Sequence, residues 1–167
     1  MTALTKWVVR LVGILAACGC SKSDPNPAAG SEEDAVKKAF TAFQGALKAH
    51  DGEKVLGLLD SGSRAEAERT AQATKEGYVK ATVAEKGETE NALGVAAAEL
   101  VALDAQGFLK SKRFNGKYEA LAESKFDKAT LHGDSATAHY VEPNGAKGKI
   151  GLVKQDGGWK VSVPMPK

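Results

Sequence analysis

The period of the apolar residues changes after Ser124, and this change is the feature that most constrains the fold. Beyond it, apolar and polar residues alternate, which is the pattern of a β-strand with one buried face. The alternation predicts four strands, over residues 126–131, 135–141, 147–154 and 159–163. The segments between them hold turn-forming sequences, which are His132-Gly133-Asp134, Glu142-Pro143-Asn144-Gly145 and Asp156-Gly157-Gly158. Short turns between consecutive strands predict an antiparallel meander.

Apolar side chains recur at every other position of the last three predicted strands. Because alternate residues of a strand point to the same side, each set defines one face. The sets are Ala136, Ala138 and Tyr140; Ile150 and Leu152; and Trp159, Val161 and Val163. Paired in register, these faces would form one apolar surface for helices to cover.

Helices are predicted before Ser124. Ser31 is a suitable N-cap, and the acidic residues 32–34 favour the first turn of a helix that begins there. An apolar stripe at helical spacing follows, formed by Val36, Phe40, Phe43 and Leu47. We expect residues 50–52 to end this helix, and a second, short helix to carry the apolar residues of 55–59.

Residues 63–110 are rich in Ala, Glu and Lys, which favour helix. The glycines of this segment are expected to divide it into several helices; they are Gly77, Gly87, Gly94 and Gly107. A last short helix is predicted from Phe108 to about residues 115–116. Helices followed by an antiparallel sheet define the α+β class, and we expect the helices to pack on one face of a curved sheet.

Parts of this pattern resemble the NTF2-like family, whose members form a cone from helices and a curved sheet. The resembling stretches are residues 51–56, His132-Gly133-Asp134-Ser135-Ala136-Thr137-Ala138, and residues 151–161 with Gly157-Gly158-Trp159. The resemblance runs over about residues 32–163 and implies the cone fold. In such a cone, we expect five side chains to line a cavity: Phe40, Phe43, Tyr78, Tyr140 and Trp159.

The same family inserts a strand near the middle of the fold, for which residues 78–83 are the candidate here. Its catalytic members, such as ketosteroid isomerases and related dehydratases, project acidic, tyrosine or histidine side chains into the cone. None of their motif residues has a counterpart in this sequence, so the resemblance implies a fold and no catalytic residue.

The first 17 residues have the layout of an export signal, with Lys6, Arg10 and an apolar run that continues to Ala17. The uninterrupted part after Arg10 is too short for a membrane span, which needs about 20 apolar residues. The run ends in Leu15-Ala16-Ala17-Cys18, which resembles the lipobox of bacterial lipoproteins. The resemblance implies removal of residues 1–17 as a signal peptide and attachment of lipid, including a fatty acid such as palmitate, to Cys18. Gly19 after the cysteine favours the outer membrane over the inner membrane of the cell envelope.

Ordinary secretion with cleavage at the same small residues, and without lipid, is the alternative. If Cys18 carries lipid, Cys20 has no cysteine partner in the chain. Residues 18–30 contain two prolines and no large apolar side chain after Cys20, so we predict a flexible tether there. A single folded domain is then expected over residues 31–167.

Charge argues against nucleic acid as a partner. Without Lys6 and Arg10, 21 of the 23 basic residues remain to balance 21 acidic ones, whereas phosphate binding needs an excess of Lys and Arg. The charges are unevenly placed, with 9 basic and 14 acidic residues in 31–104 but 11 and 6 in 105–167. In one interpretation, the opposite charges of the two halves attract each other within the fold or are simply solvated. In the other, the later half presents a basic face to anionic lipid headgroups.

No residue pattern indicates a reaction, a cofactor or a metal site. His50 lies near a helix end, His132 in a turn and His139 on the outer face of a strand, all of which are ordinary positions. Cys18 and Cys20 offer one thiol pair, which cannot complete a tetrahedral metal site. The favoured function is a non-catalytic envelope lipoprotein that binds a small apolar ligand or a protein partner. The alternatives are an NTF2-like enzyme with acid–base chemistry and a purely structural surface protein.

Overall fold

A computed structural model describes residues 27–166, with side chains from residue 32 onward. Cys18, Cys20, the predicted signal peptide and most of the predicted tether lie outside the described residues. Within these, the helices are α1 (Pro27–Lys48), α2 (Gly52–Leu58), α3 (Ser61–Lys80), α4 (Val83–Leu93), α5 (Ala97–Leu100), α6 (Ala105–Lys110) and α7 (Lys112–Ala122). The strands are β1 (Lys125–His132), β2 (Ser135–Val141), β3 (Lys147–Gln155) and β4 (Gly158–Ser162). The predicted α+β class, with helices before the sheet, is confirmed.

The strands form one antiparallel sheet in the order β1-β2-β3-β4. This order confirms the predicted meander. The register sets Ala138 opposite Ile150 and Leu152 opposite Val161, and all of these side chains are buried. The predicted faces therefore do combine into one apolar surface.

Helix α1 packs on this inner face of the sheet, and its predicted apolar stripe is buried. The ring of Phe40 lies 5.7 Å from the ring of Phe126 and 5.8 Å from that of Tyr140, centroid to centroid. Gly148 pairs with Tyr140 across β2 and β3, and a side chain at this glycine would overlap the tyrosine ring. Aromatic packing thus joins the middle of α1 to the sheet in the core.

The start of α1 differs from the prediction. The helix begins at Pro27, so the last part of the predicted tether is helical and Ser31 is not the N-cap. Proline is well suited to the first turn, because the N–H group that it lacks would be unpaired there. Glu32 lies beyond the first turn and accepts hydrogen bonds from Lys154 Nζ (2.7 Å) and Trp159 Nε1 (3.0 Å). The acidic residues thus attach the helix to the sheet.

The candidate middle strand, residues 78–83, is also wrong. Tyr78 belongs to the last turn of α3, and Thr82 is the N-cap of α4. The Thr82 N–H donates to the Glu85 carboxylate (2.8 Å), and the Glu85 N–H donates to the Thr82 hydroxyl (3.4 Å). This reciprocal pairing favours the start of a helix, and the bond from the Thr82 N–H lowers the pKa of Glu85.

Of the four glycines expected to end helices, Gly94 does so, with a left-handed φ of 64° at the end of α4. Gly77, Gly87 and Gly107 lie inside helices. A glycine weakens a helix by only about 1 kcal/mol relative to alanine. The surrounding Ala, Glu and Lys residues therefore outweigh it.

Candidate functional site

An open groove crosses the helical side of the domain, and we call it the helical groove. Its central cleft, of ≈ 660 Å³, lies between the end of α1 and the pair α6–α7. Clefts of ≈ 450 Å³ and ≈ 320 Å³ adjoin it on either side. The central cleft shares Gly94 and Lys110 with the first of these, and Glu119 and Glu123 with the second. The three clefts therefore adjoin one another.

One wall of the groove depends on Asn115, which is buried in the first half of α7. Its side-chain amide donates to the carbonyl oxygens of Leu109 (3.2 Å), Lys110 (3.0 Å) and Ser111 (3.0 Å). Carbonyls at the end of a helix otherwise lack partners within it. Asn115 thus fixes the turn between α6 and α7, and the predicted helix end at residues 115–116 is wrong because this asparagine caps the preceding helix.

The opposite wall is the last part of α1. Gln44 holds it to the end of α7, since its amide donates to the carbonyl oxygens of Leu121 (2.9 Å) and Ser124 (2.8 Å). Lys48 Nζ lies 3.1 Å from the Glu123 carboxylate, and both side chains are about half exposed. Exposed ion pairs contribute only about 0–1 kcal/mol. This pair can therefore open when another charge enters the groove.

Charge varies along the groove. The basic side chains of the central cleft are Lys48, Lys110 and Lys112, with His50 beside them. Acidic side chains line the two outer clefts: Glu99 and Asp104 on one side, and Glu119, Glu123 and Glu142 on the other. Because Glu119 and Glu123 also line the central cleft, its charge is mixed, whereas the two outer clefts are mainly acidic; this favours an extended ligand with charges of both signs.

The five side chains predicted to line a cavity lie elsewhere. Phe40 and Phe43 are fully buried, Tyr78 and Trp159 are nearly so, and Tyr140 is half buried. None of them lines the three clefts. The Tyr78 hydroxyl donates to Glu90 (2.6 Å), which raises the pKa of Tyr78, and burial raises the pKa of Tyr140. These contacts explain both tyrosines by packing and hydrogen bonding.

Of the three histidines, His50 lines the central cleft. His139 Nε2 lies 3.2 Å from the Thr130 hydroxyl on the outer face of the sheet. Among described side chains, no histidine is paired with a carboxylate. Over residues 27–166, no three His, Cys, Asp or Glu side chains converge as metal ligands would.

No protein-family model matches the chain, and no curated protein or solved structure is significantly similar to it. None of the helices in the described part of the chain combines the length and the hydropathy that crossing a bilayer requires.

Proposed function

We propose that this chain is an envelope lipoprotein, lipidated at Cys18, whose domain binds a protein partner along the helical groove without catalysis. The observation that carries the binding role is the row of three adjoining clefts, which share lining residues. The lipobox-like Leu15-Ala16-Ala17-Cys18 supports the anchor. Gly19 supports the outer membrane as its location.

A protein segment suits the groove better than a small apolar molecule. Sites for small ligands usually enclose most of the ligand and are mainly apolar. The helical groove is open, and eight lysine, aspartate and glutamate side chains line its three clefts. The proposal includes an NTF2-like cone whose interior is filled by the buried Phe40 and Phe43.

The position of the groove also supports this role. Helix α1 has 22 residues, so at 1.5 Å per residue it is about 33 Å long. Its first residue, Pro27, follows the tether, whereas Leu47 and Lys48 at its other end line the central cleft. The lipid and the groove would therefore lie towards opposite ends of α1, which leaves the groove accessible to a partner.

Cell fractionation of two cysteine variants tests the anchor. We expect Cys18→Ser to move the protein from the membrane to the soluble fraction, because the serine hydroxyl cannot form the thioether. The matched variant Cys20→Ser should stay with the membrane. Retention of the Cys18→Ser protein in membranes would contradict the proposal.

Site-specific photo-cross-linking tests the groove. A photoreactive residue at Gly116, which lines the central cleft and has open space around it, should give one discrete protein adduct. The same residue at Gly87, which is equally open but outside the groove, should not. The adduct should disappear when Lys48 and Lys112 are both changed to Glu. Equal products from both positions, or none from Gly116, would refute a groove-bound protein partner.

A further inference from the structure

The outer face of the sheet, which is turned away from α1, carries a cluster of lysines. The strand register places Lys128, His139 and Lys149 in one row across β1, β2 and β3. It places Lys125, Val141 and Lys147 in the next row. We call the four lysines of these rows, Lys125, Lys128, Lys147 and Lys149, the sheet lysines.

The sheet lysines are close together and open to solvent. Neighbouring strands lie about 4.8 Å apart, and alternate residues of a strand about 7 Å apart, so the four side chains start within an area of roughly 10 by 7 Å. All four are exposed, and none takes part in the ion pairs found among the described side chains. The acidic residues nearest to them in the sequence are Glu123, Asp127 at the bulge beside Lys128, and Glu142. Like charges that lie close together oppose folding. A role in packing therefore does not explain why these lysines are clustered.

We propose that this face docks on the anionic phosphate headgroups of the membrane that holds the chain. The inference rests on the proposed lipid at Cys18. Nine residues lead from Cys18 to Pro27, and they can span at most about 30 Å, which lets the domain lie on its sheet face. Lipid chains and a basic patch together anchor proteins more firmly than either does alone. The helices, with the central cleft between α1 and α6–α7, then lie on the side away from the bilayer.

The residues around the sheet lysines favour a bilayer over nucleic acid. The register directs no Phe, Tyr or Trp outward; the outward neighbours include Thr130, Thr137, Gly151 and Ser162. Single-stranded nucleic acids are bound mainly by stacking of bases on aromatic side chains beside basic groups. An outer face that carries four exposed lysines and no aromatic ring of Phe, Tyr or Trp complements the charged surface of a membrane instead.

Vesicle binding of the mature chain carrying Cys18→Ser tests the proposal without any contribution from lipid. Binding is measured by co-sedimentation with phosphatidylcholine vesicles, with or without about 30 mol % phosphatidylglycerol, at about 20 mM and about 150 mM salt. We expect binding to the anionic vesicles that weakens with salt. Changing all four sheet lysines to Gln should reduce the affinity about 100-fold or more, since each lysine near an anionic surface contributes about fivefold. Changing Lys38, Lys54, Lys75 and Lys80 to Gln gives the same net charge and should reduce it by no more than about threefold.

Three results would overturn the proposal: equal binding to both kinds of vesicle, equal losses for the two quadruple variants, or tighter, lysine-dependent binding to an RNA homopolymer. Circular dichroism of each variant confirms that it is folded. Because the assay protein has no lipid, its result does not depend on whether Cys18 is lipidated in cells. Failure of docking and failure of the proposed anchor are thus told apart by this assay and by fractionation of the Cys18→Ser protein.

Discussion

The two ends of α1 are attached to the rest of the domain by different chemistry. Near its start, Glu32 accepts hydrogen bonds from Lys154 and Trp159, and Glu33 accepts one from the Ala129 N–H (3.1 Å). Near its end, the Gln44 amide binds carbonyl oxygens of the α7 end. The helical groove opens beside this second end.

The two ends of α1 therefore differ in role. Its start attaches the helix to the sheet, and its end lies beside the groove that we propose for partner binding. The start of α1, which follows the predicted tether, is held to the sheet by hydrogen bonds to the carboxylates of Glu32 and Glu33. The end of α1 is held by the neutral hydrogen bonds of Gln44 and by the exposed Lys48–Glu123 ion pair, which can open when a charged ligand enters the groove. Between the two ends, Phe40 packs on Phe126 and Tyr140 and gives both ends a common rigid support. Four substitutions test this comparison, from the largest expected effect to the smallest.

The middle of α1 should tolerate truncation least. Phe40→Ala removes a fully buried ring and should lower the free energy of unfolding by about 3–5 kcal/mol. Lys112→Ala, on the wall of the groove, should change it by no more than about 0.5 kcal/mol. Urea denaturation followed by circular dichroism measures both. Similar values for the two variants would show that the aromatic cluster does not support the helix.

Two glycines of α2 provide a matched pair on the groove side of the molecule. A side chain at Gly52 would overlap the carbonyl oxygen of Gln106 in α6, whereas Gly57 has open space around it. We expect Gly52→Ala to destabilise the domain by about 1–3 kcal/mol. Gly57→Ala should stabilise it by up to about 1 kcal/mol, because alanine is the better helix former. Thermal unfolding that moves in the same direction for both would contradict the close packing of α2 on α6.

Asn115 tests the wall of the groove itself. Asn115→Ala leaves the carbonyl groups at the end of α6 without their donor and should cost about 1–3 kcal/mol. It should also weaken cross-linking from Gly116, since the turn between α6 and α7 is no longer fixed. Lys117→Ala is the control, because this exposed side chain bonds to the Pro164 carbonyl oxygen outside the groove. Unchanged stability and unchanged cross-linking in Asn115→Ala would remove this residue from the account.

The smallest effect concerns acid stability at the start of α1. Two hydrogen bonds lower the pKa of Glu32 below its ordinary value of 4.5: the one from Lys154 has the larger effect, and the one from Trp159 the smaller. The ionised form therefore stabilises the folded state above that pH, and the contribution is lost as the pH falls through the lowered pKa. We expect the difference in Tm between the wild type and Glu32→Gln to shrink from about pH 6 to about pH 3. Glu68→Gln, at an exposed site on α3, should show no such trend, and parallel curves for Glu32→Gln would contradict the contact.

The strands could be predicted from the sequence because their signals are local. The alternation of residues such as Ala136 and Ala138, and the turn glycines such as Gly133 and Gly157, can be recognised from a few neighbouring positions. The helix boundaries are harder to predict, because they depend on individual side-chain hydrogen bonds. The pairing of Thr82 with Glu85 and the capping by Asn115 override the propensities of the same residues.

The groove could not be predicted from the sequence. Its walls come from α1 and from α6–α7, and Lys48 meets Glu123 across 75 positions of sequence. Exposed lysines and glutamates also carry no periodic signal that separates a binding wall from an ordinary solvated helix face. The sequence instead predicted a cavity lined by residues with the clearest apolar pattern, such as Phe40 and Phe43. In the structure, these side chains fill the core.

Intact mass spectrometry of the protein extracted from native membranes tests the central proposal most directly. The account predicts a polypeptide that begins at Cys18 and is heavier than its amino acids by a diacylglycerol group and a further acyl chain. A mature form that begins at another residue, or one with the mass of the unmodified polypeptide, would contradict it.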